Sequence, residues 1–259
     1  MNGSVLIRYG VGIVGAALTL GLWQFAAAAG PLADSPLPTA FDAIKAMFEL
    51  LGTSEMWVAL WDTVYMALLG LVIATVAGVL LGIGIGVSPL AMHATRVPLE
   101  FLKPIPPIVI LPVVVLVLGP TAGMGVFLVF IGCFVSIVVQ ASAGVFDTDP
   151  VAKATGQSYG LSRPAILGDI VLPSALPYIG TAVRVAAPTA LIVAVVAGLL
   201  GGGPGLGQSL LLTQISGNQN QLFAYVLILG ILGLIVQGLS QWGERRLLHW
   251  HPQYRKQVV

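Results

Sequence analysis

Residues 104–146 read PIPPIVILPVVVLVLGPTAGMGVFLVFIGCFVSIVVQASAGVF, without one charged side chain. As a single helix rising 1.5 Å per residue, this run would extend about 64 Å, roughly twice the hydrocarbon thickness of a bilayer. It must turn back, and the break falls at GPTAG, residues 119–123, where Gly and Pro interrupt the apolar pattern. The rest of the chain is built alike. Of its 259 residues 57% are hydrophobic and only 8% charged, against roughly a quarter charged in soluble domains. The fold class is an all-α membrane protein.

Working outward, charge-free runs mark the spans, because an ionised side chain at the bilayer centre costs several kcal/mol. The run from Tyr9 to Ala33 is too long for a signal-peptide core and is expected to be a retained first span. The stretch between Thr63 and Thr95 holds a second, and the run from Val185 to Gly243 holds two more, separated by GGGPGLG (201–207) and TQISGNQNQ (213–221). About six transmembrane helices result, at approximately 9–30, 62–87, 101–118, 122–145, 176–200 and 221–243. Lys and Arg then orient the chain. With both termini in the cytoplasm, only Lys45 falls outside; Arg8, Arg96, Lys103, Lys153, Arg163, Arg184, Arg245, Arg246, Arg255 and Lys256 all fall inside. Residues 34–58 form the largest external segment, where Phe41, Ile44, Met47, Phe48 and Leu51 recur at helical spacing and predict a short amphipathic helix. No internal repeat or linker divides the chain, so a single domain, 1–259, is expected.

Net charge is +1, which gives no reason to expect nucleic acid as a partner. The lone cysteine, Cys133, excludes a disulfide within the chain and reads as a small apolar residue of a span. Glycines in GVLLGIGIG (78–86) suit close helix packing in lipid. GQSYG (156–160) has the G-x-S-x-G form of a nucleophile elbow, which would make Ser158 a nucleophile in an intramembrane serine hydrolase. That chemistry needs a strand, an acid and a histidine, and His93, His249 and His251 all lie in other segments. His249 and His251 flank Trp250 beside Arg245 and Arg246, a pattern of interfacial anchoring rather than metal binding, and no metal ligand is assigned. GGGPGLG follows a span rather than a soluble strand, so it is expected to be a flexible external turn and not a phosphate loop. The dipeptide GK does not occur, so no P-loop is present. The spans hold no paired carboxylates for ion coupling. A transporter of this composition draws its energy from another subunit; a secondary transporter working without an ATPase is the alternative, and would be expected to show internal repeats.

Between the fourth and fifth spans the chain reads DPVAKATGQSYGLSRPAILGDIVLPSALPYIGTAVRVA (149–186). This resembles the transmission motif of binding-protein-dependent ABC importer permeases, E-A-A-x-x-x-G-x(9)-I-x-L-P. Gly160 is followed by nine residues and then by Ile170, Leu172 and Pro173, while Ala154, Thr155 and Gly156 stand in the places of E-A-A. The carboxylate that would contact an ATPase is thus missing at Ala154. PLEFLKPIPPIVILPVVVLVLG (98–119) and the tail RRLLHWHPQY (245–254) look like the alkanesulfonate, taurine and nitrate branch. The resemblance covers residue 58 onward and implies a type I importer fold. It also implies a second permease copy, identical or paralogous, and an external solute-binding protein. Two cytoplasmic ABC ATPases, carrying the ATP and Mg that this chain does not bind, would dock at 149–173 through Ala154, Thr155, Gly156, Gly160, Leu161, Ser162, Ile170, Leu172 and Pro173.

The residues themselves suit that role. Asp149 and Pro150 can cap and start a short helix, and Gly160 can end it in a left-handed conformation. Ser162, Arg163 and Pro164 repeat the start for a second short helix, which Pro173 is expected to end. For the translocation path the polar candidates are Ser136, Gln140 and Thr189, with Arg184 the one cation near it and snorkelling its default state. The resemblance points to a small organic anion such as a sulfonate, taurine or related acid, and the apolar spans suit a less polar or aromatic one. A multi-pass protein of a bacterial inner membrane is expected.

Overall fold

The structure is a computed structural model and describes residues 3–30 and 32–250. Among the described residues every regular element is helical. They are α1 (Gly3–Ala28), α2 (Ala40–Leu51), α3 (Ser54–Gly86), α4 (Pro89–Leu102), α5 (Leu111–Leu118), α6 (Ala122–Phe146), α7 (Pro150–Ser158), α8 (Arg163–Ile166), α9 (Leu172–Gly201), α10 (Leu206–Ile215) and α11 (Gln219–Leu247). Among the described residues five helices are long and apolar enough to cross a membrane, or six if one bent pair counts as a span.

That bent pair is the third predicted span. Instead of one helix over 101–118, α4 stops at Leu102, a 3₁₀ turn occupies Pro107–Ile110, and the axis bends by 77°. KPIPP (103–107) is the cause: Pro104, Pro106 and Pro107 lack the N–H groups that would carry the helical ladder across. The break at GPTAG stands as expected. Gly119 has φ +67°, and Thr121 starts α6 by accepting the Met124 N–H at 3.3 Å.

The chain falls into two compact units. One takes the chain up to Val58 together with Ser209–Ile231. In it the Trp23 indole donates to the Pro38 carbonyl at 3.0 Å and stacks obliquely on Phe223 at 5.9 Å. The predicted amphipathic helix is α2, N-capped by Thr39. It buries its alanines, Ala40, Ala43 and Ala46, and leaves Phe41 and Phe48 exposed. Such an apolar face suits the headgroup boundary of a bilayer.

The other unit takes Ala59–Gln208 and the chain from Leu232 on. Its core joins Met66, Leu71 and Ala74 of α3, Val129, Cys133 and Ile137 of α6, and Ala182, Ala186, Ala190 and Ala194 of α9. An alanine every fourth residue gives α9 a smooth stripe along which α6 lies closely. On the other flank the glycines of GVLLGIGIG do the same work. A Cβ on Gly82 would stand 2.6 Å from that of Ala141, and one on Gly86 2.6 Å from that of Val145.

GGGPGLG is not a loose turn. Gly201, Gly203, Gly205 and Gly207 are buried, and the Leu206 N–H donates to the buried Thr63 hydroxyl at 2.8 Å. A Cβ on Gly207 would fall onto the Val195 carbonyl oxygen. The glycines serve this close backbone approach rather than mobility, which corrects the expectation of a flexible turn.

Candidate functional site

The segment 149–173 forms a knob built from two helical pieces and a bend. Asp149 caps α7, its carboxylate accepting the Val151 N–H at 2.8 Å, and Pro150 follows where no N–H is needed. The far end is closed by the Schellman arrangement. The Leu161 N–H donates to the Gly156 carbonyl at 3.0 Å and the Gly160 N–H to that of Gln157 at 2.9 Å, with Gly160 at φ +80°. This is the bend expected from the glycine. Gly156 has a packing reason of its own: a Cβ there would lie 2.8 Å from the Ile170 Cδ1.

The second piece departs from expectation in two respects. Ser162 has the extended backbone of an N-cap, but its hydroxyl makes no capping bond. Nor does Pro173 end a short helix. From α8 the chain passes through a π-helical turn, Leu167–Val171, directly into α9, so Arg163–Gly201 runs as one span of 39 residues. Pro173 would ordinarily lose a ladder bond and press its ring on the Asp169 carbonyl. The wider turn relieves this, with the Leu172 N–H reaching back five residues to the Leu167 carbonyl. Leu172 and Pro173 thus open α9 rather than close α8.

The knob is fixed to the bundle. Ile166 and Val171 are buried with Val145 of α6 and Ala175 of α9, flanked by Ile83, Ile170 and Ile179. What remains outside is one face of α7. Val151 is 68% exposed and Tyr159 84%, with Ala154 and Thr155 exposed between them. Spacing of three, one and four residues puts these on one side of the helix. Leu161 is 40% exposed next to it. The motif pointed to Ala154, Thr155 and Leu161 but not to Val151 or Tyr159, whose only signal is the helical phase set by the buried Gly156.

Ser158 lies on this helix and not on a strand-to-helix elbow. Its hydroxyl donates to the Ala154 carbonyl at 3.0 Å. His93 is held at the Pro89 carbonyl and against the Phe146 ring, and His249 at the Arg246 carbonyl, so neither can act as its base. Ser158→Ala is expected to leave transport and stability unchanged within about 0.5 kcal/mol, as for other exposed substitutions; uptake by the variant checks this. At the C-terminal end Arg246 lies over the Trp242 ring at 4.7 Å, an arrangement suited to anchoring. His251, Arg255 and Lys256 lie outside the described residues, as does the side chain of Arg8.

Of the path candidates, Ser136 and Gln140 are half-buried on α6, and Thr189 bonds to the Val185 carbonyl of its own helix at 3.2 Å. Arg184 does not simply reach for water. Its Nε lies 3.1 Å from Oε2 of Glu244 on α11, close enough for an ion pair although without hydrogen-bond alignment. The Thr181 hydroxyl donates to the other Glu244 oxygen at 3.0 Å, and Gly180 receives Leu248 beside it. Glu244 is the residue that reading by charge-free windows passed over, because it sits one position beyond the last of them.

Comparison with known proteins follows the same line. The family described as binding-protein-dependent transport system inner membrane component matches residues 74–249. The putative aliphatic sulfonates transport permease of Bacillus subtilis is 24% identical, covering 95% of this chain and 90% of its own length. The taurine transport system permease of Escherichia coli is 27% identical over 77% of this chain and 73% of its own. The nitrate import permease of Leptolyngbya laminosa is 25% identical over 85% and 81%. Among solved structures, an inward-facing form of the MetNI methionine ABC transporter shares the fold with a TM-score of 0.65 at 18% identity, covering 74% of this chain and 95% of its own. An amino acid ABC transporter crystallised with histidines gives 0.61 at 16%, covering 80% and 96%.

Proposed function

Because the chain belongs to the family of binding-protein-dependent transport system inner membrane components, we propose that the knob at 149–173 is where a separate cytoplasmic ATPase seats and drives the cycle. The protein is a multi-pass permease of a bacterial inner membrane with the ABC importer permease fold. The observation that carries the coupling reading is the continuity of α8 with α9: a push on Val151, Ala154, Thr155 and Tyr159 is passed across the closed bend at Gly160 and the π turn into a span that lies along α6. An exposed tyrosine beside small residues is the composition of a docking hot spot. With Ala154 in place of an acid, that docking is apolar and aromatic rather than ionic. Two ATPases bearing ATP and Mg, a second permease copy and an external solute-binding protein complete the working assembly in this reading, with both termini inside.

The test is co-purification in mild detergent from the native host. A P-loop ATPase in stoichiometric amount supports the reading; a chain that transports in membranes stripped of ATPase overturns it. Tyr159→Ala is expected to weaken that association by about 2 kcal/mol or more, as truncating a hot-spot tyrosine does, with thermal unfolding unchanged. Equal recovery of ATPase by variant and parent would remove Tyr159 from the interface.

For substrate we propose a small organic anion of the sulfonate, taurine or related class, supported by the relatives named for sulfonates, taurine and nitrate. Ser136, Gln140 and Thr189 are the polar groups proposed to line its path. Glu244 balances the charge of Arg184, so this cation is not free to hold an anion on its own. That favours an acid recognised largely through its apolar part. Uptake of taurine, alkanesulfonates, nitrate and aromatic carboxylates by cells with and without the gene decides; an effect confined to inorganic anions would refute the class.

A further inference from the structure

Beside the knob a cleft of about 720 Å³ opens between the ends of α3 and α6 and the start of α8. Its walls are apolar, with Val87 53% and Phe146 38% exposed and Leu167 opposite. Its rim carries Lys153, Gln157 and Arg163, and among the described residues no carboxylate lines it. The Lys153 ammonium donates to the Val145 carbonyl at 3.4 Å and has two further protons to give. Neither Lys153 nor Arg163 has an ion-pair partner among the described residues. A pair of cations without ion-pair partners above an apolar slot asks for an amphiphile with an anionic head. Gly86 and Phe146 end two helices long enough to cross the bilayer, so the cleft lies at one end of the membrane-spanning helices.

We propose that this cleft binds an anionic phospholipid, its phosphate held by Lys153, Gln157 and Arg163 and one acyl chain lying against Val87, Phe146 and Leu167. Cationic pockets between membrane helices recognise such headgroups through charge and donor number together. Lys153 and Gln157 are on α7 and Arg163 opens α8, so a bound lipid touches both halves of the knob. Membrane composition would thereby bear on the stiffness of the bend. The proposal rests on the family assignment that puts α3 and α6 in the membrane, not on the ATPase docking above.

The experiment is native mass spectrometry of the full chain in detergent, titrated with phosphatidylglycerol or with phosphatidylcholine of the same acyl chains. The parent is expected to prefer phosphatidylglycerol, and Lys153→Gln with Arg163→Gln to bind it roughly 30-fold more weakly, the loss of two headgroup-binding cations. Arg96→Gln with Lys103→Gln, the same charge change elsewhere, is expected to keep it. Val87→Trp fills the slot at an exposed position with every charge in place and is expected to lose it too, so the test survives a misfolded double variant. No headgroup preference, or equal loss in the Arg96 and Lys103 control, overturns the proposal. So does displacement of the lipid by inorganic phosphate alone, which would mark a plain anion site. If the Lys153 and Arg163 variant keeps its lipid but no longer recovers an ATPase, the cleft is a protein-docking surface and the lipid assignment falls.

Discussion

Gly160→Val is expected to abolish uptake and to strip the ATPase from the purified chain, while Gly160→Asn retains most of both. Nothing lies within 4 Å of a Cβ built on Gly160, so the cost is not steric crowding by neighbours. It is the backbone at φ +80°. A left-handed conformation costs an ordinary residue roughly 1–2 kcal/mol, a β-branched one more, and asparagine least. Valine would therefore release the two closing bonds to Gly156 and Gln157, and with them the last turn that holds Tyr159 on the exposed face of α7. Co-purification and ATP-dependent uptake, measured together, check this. Parental behaviour of the Val variant in both would show that the bend is not needed.

The second large effect concerns the ion pair. Glu244 is buried, its side chain 3% exposed, whereas that of Arg184 is 36% exposed. The two deletions are thus unequal. Arg184→Ala strands a carboxylate that has no route to water and retains only the Thr181 hydroxyl, and is expected to cost about 3–5 kcal/mol. Glu244→Ala leaves a cation already in partial contact with solvent, and is expected to cost about half as much. Arg184→Met with Glu244→Leu removes both charges and is expected to restore most of the stability, since replacing a buried pair by apolar groups is often neutral. Thermal unfolding in detergent ranks the three. If Glu244→Ala proves the more damaging, the burial argument is wrong.

Much of this architecture was legible because water-to-lipid transfer punishes charge so heavily that charge-free windows mark helices. The turn at GPTAG and the glycine at 160 could be read because they need particular backbone angles that few residues adopt. What escaped reading depended on partners distant in sequence. Nothing local distinguishes Glu244 from any acid just past a span; its meaning comes from Thr181 and Arg184 across the bundle. GGGPGLG has the composition of a flexible turn, and only contact with Thr63 and Val195 makes it a packed one. By local rule Pro173 is a helix stop, yet a π turn ending two residues earlier accommodates it. Prolines at 104, 106 and 107 were apolar enough to pass for span, although together they remove three rungs of the ladder.

The span from Arg163 to Gly201 has a mechanical consequence. Beyond the π turn, α9 has 30 residues, about 45 Å of helix. A tilt of about 5° at that turn would displace the far end by about 4 Å, nearly the rise of one helical turn. In the proposed coupling the π turn would serve as the fulcrum of a lever whose short arm is the knob. The long arm ends at the buried glycines around Gly203, so a small stroke at one membrane surface would become a larger one at the other.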